Sequence, residues 1–182
     1  MPALNFAAIS NNQEIVELLL KQKGIEIKKF AFFGCSLLQK ITIPSSITSI
    51  GYSAFSDCLS LKSVTFEIPS SVTVFEMGSF KGCSALTEIF IPSSVKSIGS
   101  RAFKKCSSLE KVTFETPSSL MIIESEAFID CCSLTQITIP QSVTEIGNDA
   151  FRRCSSLKQI KIPIEINIGK GVLPSNVEII FY

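Results

Sequence analysis

The sequence has no histidine, no tryptophan and only two tyrosines in 182 residues. Without imidazole there is no Ser-His or Cys-His dyad, and the usual neutral-pH base is missing. Mixed Cys/His zinc sites are excluded as well. Of the seven cysteines only Cys131 and Cys132 are adjacent, so no short-spaced ligand cluster exists and no metal is expected. No glycine motif of the phosphate-cradling kind occurs, and neither an enzyme nor a cofactor is expected. Charge is sparse too. Acidic and basic residues make up 18% of the chain with a net charge of +1, against about 25% charged residues in an average domain. That balance gives no electrostatic case for nucleic acid or an anionic membrane. No apolar run reaches the ~18 residues of a membrane span. The opening Met1-Pro2-Ala3-Leu4 has no basic residue, and Glu14 and Glu17 interrupt the next apolar stretch, so no signal peptide is expected and the location reads as cytoplasmic.

What is present is a period. Cysteines stand at Cys35, Cys58, Cys83, Cys106, Cys131 and Cys154, at intervals of 23, 25, 23, 25 and 23. Such a period marks a solenoid, whose units are too small to hold a core alone and stack on their neighbours. Aligned on the cysteine, the copies form columns. Three residues on is always leucine, Leu38 to Leu157. Six and eight on are aliphatic or Phe, as in Ile41 and Ile43 or Val64 and Phe66. A proline comes next, then a small polar pair and an aliphatic, and ahead of each cysteine stands a phenylalanine from Phe32 to Phe151.

One coil can be derived from these columns. Leu-x-x-Ile-x-Ile has apolar residues at period 2 around β-branched side chains, the strand signal. Proline then removes a ladder donor and ends the strand. A second aliphatic pair such as Val95 and Ile98 faces inward from the next side, and Gly51, Gly99 and Gly147 are assigned to turns. Phe and Cys three apart have the spacing of one helical turn. Six coils at ~4.8 Å each predict one continuous parallel sheet roughly 25 Å long. The longer copies carry Glu67-Ile68 and Glu115-Thr116 between strand and proline, read as bulges on one flank that leave the stack unbroken.

Residues Leu86 to Cys106 and Leu134 to Cys154 read Leu-x-x-Ile-x-Ile-Pro-x-Ser-Val-x-x-Ile-Gly-x-x-Ala-Phe-x-x-Cys position by position. This pattern resembles the leucine-rich repeat, in particular its BspA-like branch, over residues 30–182. The resemblance implies an α/β, right-handed leucine-rich repeat solenoid with its parallel sheet on the concave face. It further implies a surface antigen or adhesin that binds a host or extracellular matrix protein, displayed at the cell surface. The other reading is an intracellular scaffold or adaptor. Ahead of the repeats, residues 1–29 resemble one ankyrin repeat, with Asn11 or Asn12 capping its second helix and Gly24 at that helix's end. Two readings stay open there, a helical cap on the first coil or a remnant of a longer array. At the other end Val177 to Tyr182 reads as a closing strand, and its free edge as a place for weak self-association.

In other leucine-rich repeats the cysteine column holds leucine, so cysteine reads here as a small buried hydrophobe. Buried free thiols are expected, with a disulfide ladder and metal binding as the alternatives and Cys132 as the reactive thiol. Lys104-Lys105 and Arg152-Arg153 share a column with Asp57 and Asp130, which favours a solvated face over a basic stripe. The outward column of the sheet reads Thr42, Thr65, Phe90, Thr113, Thr138, Lys161. Threonine suits a half-exposed pleated surface; Phe90 is the anomaly. Either its ring packs over neighbouring methyl groups, or it is the centre of an interface. The candidate partner-binding residues are accordingly Phe90 with Lys62, Thr65, Glu88, Glu110, Lys111, Thr113 and Thr138.

Overall fold

The structure is a computed structural model that describes residues 13–22 and 26–182. Each coil begins with a long strand from the Leu-x-x-Ile-x-Ile segment: β1 (Lys40–Ile43), β3 (Ser63–Phe66), β5 (Glu88–Ile91), β7 (Lys111–Phe114), β9 (Gln136–Thr138) and β11 (Gln159–Ile162). The second aliphatic pair forms a short strand on another side: β2 (Ser49–Ile50), β4 (Val74–Phe75), β6 (Ser97–Ile98), β8 (Ile122–Ile123), β10 (Glu145–Ile146) and β12 (Asn167–Ile168). A last long strand, β13 (Glu178–Phe181), pairs with β11. All pairing is parallel, as the repeat predicts.

The expectation of one continuous sheet of long strands needs correction. The continuous sheet is the six-stranded one built from the two-residue strands β2 to β12. The long strands pair only within the groups β1–β3, β5–β7 and β9–β11–β13. Both breaks fall where the repeat is two residues longer. The inserted residues leave the stack intact, as expected, but they split the long-strand ladder. Each inserted glutamate also caps a turn in the coil before it. Glu67 Oε2 accepts from Ser45 N–H at 3.1 Å, and Glu115 Oε2 accepts from Ser93 N–H at 2.7 Å.

The Ala-Phe-x-x-Cys segment is not a helical turn. Left-handed residues recur along it at every fourth position, with φ near +60° at Arg101 and Lys105 and at their equivalents Asp57, Glu126, Asp130, Asp149 and Arg153. Every second N–H points to the next coil, while those between close i→i−3 turns within the coil. Thus Arg101, Phe103 and Lys105 donate to the carbonyls of Ser125, Ala127 and Ile129 at 3.1, 2.7 and 2.9 Å. A left-handed residue costs about 1–2 kcal/mol, whereas each net hydrogen bond returns about 0.5–1.5 kcal/mol. Two such residues against three bonds come out near balance, so packing must supply the surplus.

Packing does so through like-on-like columns. The rings of Phe32, Phe55, Phe80, Phe103, Phe128 and Phe151 stack with centroids 4.8–5.3 Å apart and planes within 7°. Beside them the column cysteines are buried and form no disulfide. Each from Cys58 to Cys154 donates its S–H to the phenylalanine carbonyl of the coil before, at 3.0–3.2 Å. Cysteine is therefore more than a small hydrophobe in this column: it is a donor that leucine could not replace. At the N-terminal end α1 (Gln13–Leu20) buries Val16 and Leu20 in the same core, and Ile27 bridges to Ile50 of β2. The first helix of the ankyrin-like reading lies outside the described residues.

Gly51, Gly99 and Gly147 also have a different reason from the turns that the sequence suggests. Their φ is not positive, but a Cβ on Gly99 would stand 2.7 Å from Phe75 O and 2.8 Å from Glu76 C. Glycine here lets two coils touch main chain to main chain. The expected outcome is that Gly99→Ala costs ~2–3 kcal/mol, as overpacking does. Gly34→Ala, at φ +68° with nothing within 4 Å, should cost only ~1–2 kcal/mol. Phe103→Ala should cost ~3–5 kcal/mol through the cavity it leaves. Urea melts of the three variants check the order.

Candidate binding face and the cleft between β7 and β9

Alternation along the long strands sends Ile41, Val64, Ile89, Val112, Ile137 and Ile160 inward and their neighbours outward. The candidate residues Thr65, Glu88, Lys111, Thr113 and Thr138 are exposed on that outer face, and Lys62 and Glu110 are exposed just ahead of β3 and β7. Register sets Glu88 opposite Lys111 and Phe90 opposite Thr113. Phe90 itself is half-buried and packed against the core. Its ring does not stand free of the sheet, so Phe90→Thr removes packing and should cost more than a surface change.

The sequence pattern did not reveal a concavity on this face. Where the ladder breaks between β7 and β9, a cleft of about 850 Å³ opens. Its floor includes Val112, Ile137 and Phe114, its ends Pro117 and Pro140, and its rim Lys111 and Lys161. Tyr182 closes one side, its hydroxyl donating to Ile139 O across β11. Of the candidate residues, Lys111, Thr113 and Thr138 line the cleft; Lys62, Thr65, Glu88, Phe90 and Glu110 lie elsewhere on the face. The legible signal was the alternation of 23 and 25 residues, which marks each break.

The turn side is held by charge pairs. Arg101 binds Glu126 through Nε at 3.1 Å and Nη2 at 2.8 Å, and Lys104 Nζ reaches the same carboxylate at 3.0 Å. Arg153 pairs with Asp130 at 3.6 Å. Of the basic pairs, Lys104, Arg152 and Arg153 are thus answered by carboxylates within the surface, and Lys105 is in none of the described ion pairs. The hydrogen bonds from Arg101 and then Lys104 hold the Glu126 carboxyl at about 2. A depressed carboxylate stabilises fully above its unfolded value and loses that contribution as pH falls. Stability measured by urea should therefore decline between about pH 4.5 and pH 2, and Glu126→Gln should flatten that part of the profile.

The thiols divide sharply. Burial pushes Cys106 and Cys131 well above the ordinary thiol value and Cys154 up to about 12. Cys132 is exposed. A thiol reagent should label only Cys132 in the folded chain and all seven in denaturant, counted by mass spectrometry. Among the described residues no group of three His, Cys, Asp or Glu could hold a metal ion. No helix of these residues is long and apolar enough to cross a membrane.

Compared with known proteins, the chain matches a family model described as a BspA type leucine-rich repeat region in six copies, over residues 6–131 and 73–180. Among solved structures it is similar to the pneumococcal vaccine antigen PcpA, at 32% identity and a TM-score of 0.62, over 70% of this chain and 31% of that one. A leucine-rich cell surface protein from Faecalibacterium prausnitzii is 25% identical with a TM-score of 0.52, over 86% of this chain and 64% of that one. A leucine-rich repeat protein of T. pallidum, 24% identical with a TM-score of 0.53 over 88% of this chain and 70% of that one, shares the fold. The chain spans less than two thirds of the length of either of the first two. A search of curated proteins returned no match.

Proposed function

We propose, for a chain that belongs to the BspA-type leucine-rich repeat family, that it works at a cell surface as an antigen or adhesin-type module whose protein partner docks on the long-strand face. Repeats of this family are interaction scaffolds and not catalysts, and the two relatives named as a vaccine antigen and a cell surface protein support display outside the cell. The observation that carries the choice of face is the cleft, which lies among exposed, adaptable polar side chains. The turn side offers ion pairs already satisfied. Within the chain, 1–29 acts as the cap and 30–182 as the binding solenoid. The exposed Ile179 and Phe181 of β13 supply a weaker contact, to a second copy of the chain.

A pull-down with the intact chain tests the face. Any protein held through it should be retained by Lys81→Ala on the turn side. It should be lost about thirtyfold or more by Thr65→Arg with Thr113→Arg, the size of a hot-spot loss near 2 kcal/mol. The double variant should melt within a few degrees of the original. Equal retention by the double variant would overturn this choice of face.

A further inference from the structure

The two breaks in the long-strand ladder are equivalent in repeat position yet differ in what fills them. At the first, β3 faces β5, and the outward residue of the second strand is Phe90; at the second, β7 faces β9, and that position is Thr138. Phe90 is half-buried against the core. The next column shows the consequence. Phe66 beside the first break is 6% exposed and stacks on Phe75 at 5.8 Å. Its equivalent Phe114 is only partly buried and lines the open cleft. So the first break has a core-packed aromatic ring at this position and a buried Phe66 beside it, and the second has a threonine and an open cleft.

From this geometry we propose that the β7–β9 cleft receives an aromatic side chain from an extended, acidic segment of a protein partner, seated as Phe90 is seated in its own break. The inference rests on the long-strand face being the binding face. Three further observations fix the chemistry of the occupant. The floor of Val112, Ile137 and Phe114 is apolar and the volume, about 850 Å³, lies in the ~300–1,000 Å³ range of ligand sites. The cleft holds more than one ring, so it admits the flanking residues too. Lys111 and Lys161 are exposed on the rim and take part in none of the described ion pairs, whereas the one acid lining the cleft, Glu115, is engaged by Ser93 N–H at 2.7 Å. The rim thus favours carboxylates. Lastly, the alternation of a parallel ladder turns the main chain of Val112 and Phe114 toward β9 and that of Gln136 and Thr138 toward β7. No backbone hydrogen bond joins the two strands. Those donors and acceptors suit an extended segment.

The test uses the whole chain, labelled for amide NMR, and three capped peptides: acetyl-Glu-Phe-Glu-amide, acetyl-Glu-Ala-Glu-amide and acetyl-Lys-Phe-Lys-amide. The first should shift the amides of Val112, Ile137 and Thr138 in a saturable way. The alanine peptide should bind at least about tenfold more weakly, and the lysine-flanked one several-fold more weakly at low salt, with that difference fading as salt rises. Thr138→Phe should occupy the seat of the aromatic ring and weaken binding of the first peptide at least about tenfold; Phe90→Thr should add a second set of shifts at Val64 and Ile89. Should Thr138→Phe fail to fold, Lys111→Glu with Lys161→Glu, both on exposed positions, must reverse the preference between the acidic and basic peptides. Undiminished binding to Thr138→Phe, or an unchanged preference in the double charge variant, overturns the proposal. Shifts that map instead around Lys62 and Thr65 overturn the cleft while leaving the long-strand face as the binding face. No shift with any of the three peptides overturns the cleft as well, and the fate of the face then rests on the pull-down alone.

Discussion

Main-chain hydrogen bonding from coil to coil is the constraint on which everything else in this molecule depends. It runs continuously along two sides of the stack, through the six short strands and through the turn-side ladder. The coil rise is thereby fixed near the strand spacing of ~4.8 Å. A fixed rise makes side chains in one column touch their own kind, as the six stacked phenylalanines do. It also explains where glycine is indispensable, since coils this close leave no room for a Cβ at Gly51, Gly99 or Gly147. The same ladder tolerates arginine, lysine and aspartate in left-handed backbone, because the bonds that geometry aims at the next coil offset its cost.

The long-strand side is freed by this arrangement. With register held on the other two sides, two residues can be inserted after β3 and after β7 without loss of the stack. Each insertion lets adjacent long strands part, while its glutamate ties the displaced turn to the preceding coil. Variation is thereby confined to one face, and the outward column there can change from threonine to phenylalanine or lysine at little cost to the core. Stability and recognition are drawn from different sides of the same coil.

Much of this is legible in the amino-acid sequence alone. The repeat length, the inward columns, the parallel pairing and the buried cysteines come from period-2 and fixed-offset patterns that a stack must repeat. Three features are not legible there. A Phe-x-x-Cys spacing cannot separate a helical turn from tight turns flanked by left-handed residues, since both bring the two side chains inward; the difference lies in where the N–H groups point. Gly99 has the look of a turn residue because the backbone of Phe75 and Glu76, which excludes its Cβ, is over twenty residues away in sequence. The cleft is hidden for a related reason. Insertions are visible in a sequence, but whether a ladder absorbs them or parts depends on which of the three sides holds the register.

The thiol column bears on the proposed location. Seven cysteines would be an odd choice outside a cell, where oxidising conditions join thiols that lie within reach, and stacked columns bring them to about the separation a disulfide needs. Exchange and oxidation, however, proceed through the thiolate. Burial raises Cys106, Cys131 and Cys154 far from that state. Each S–H is also committed to a phenylalanine carbonyl of the coil before it. Forming a disulfide would forfeit that buried hydrogen bond and leave the carbonyl with only the cysteine N–H of its own coil. The column is thus protected by the same ladder that builds the solenoid, and display at a surface does not require it to be oxidised. Cys132 lies outside the column, because its neighbour Cys131 takes the inward position and leaves it exposed.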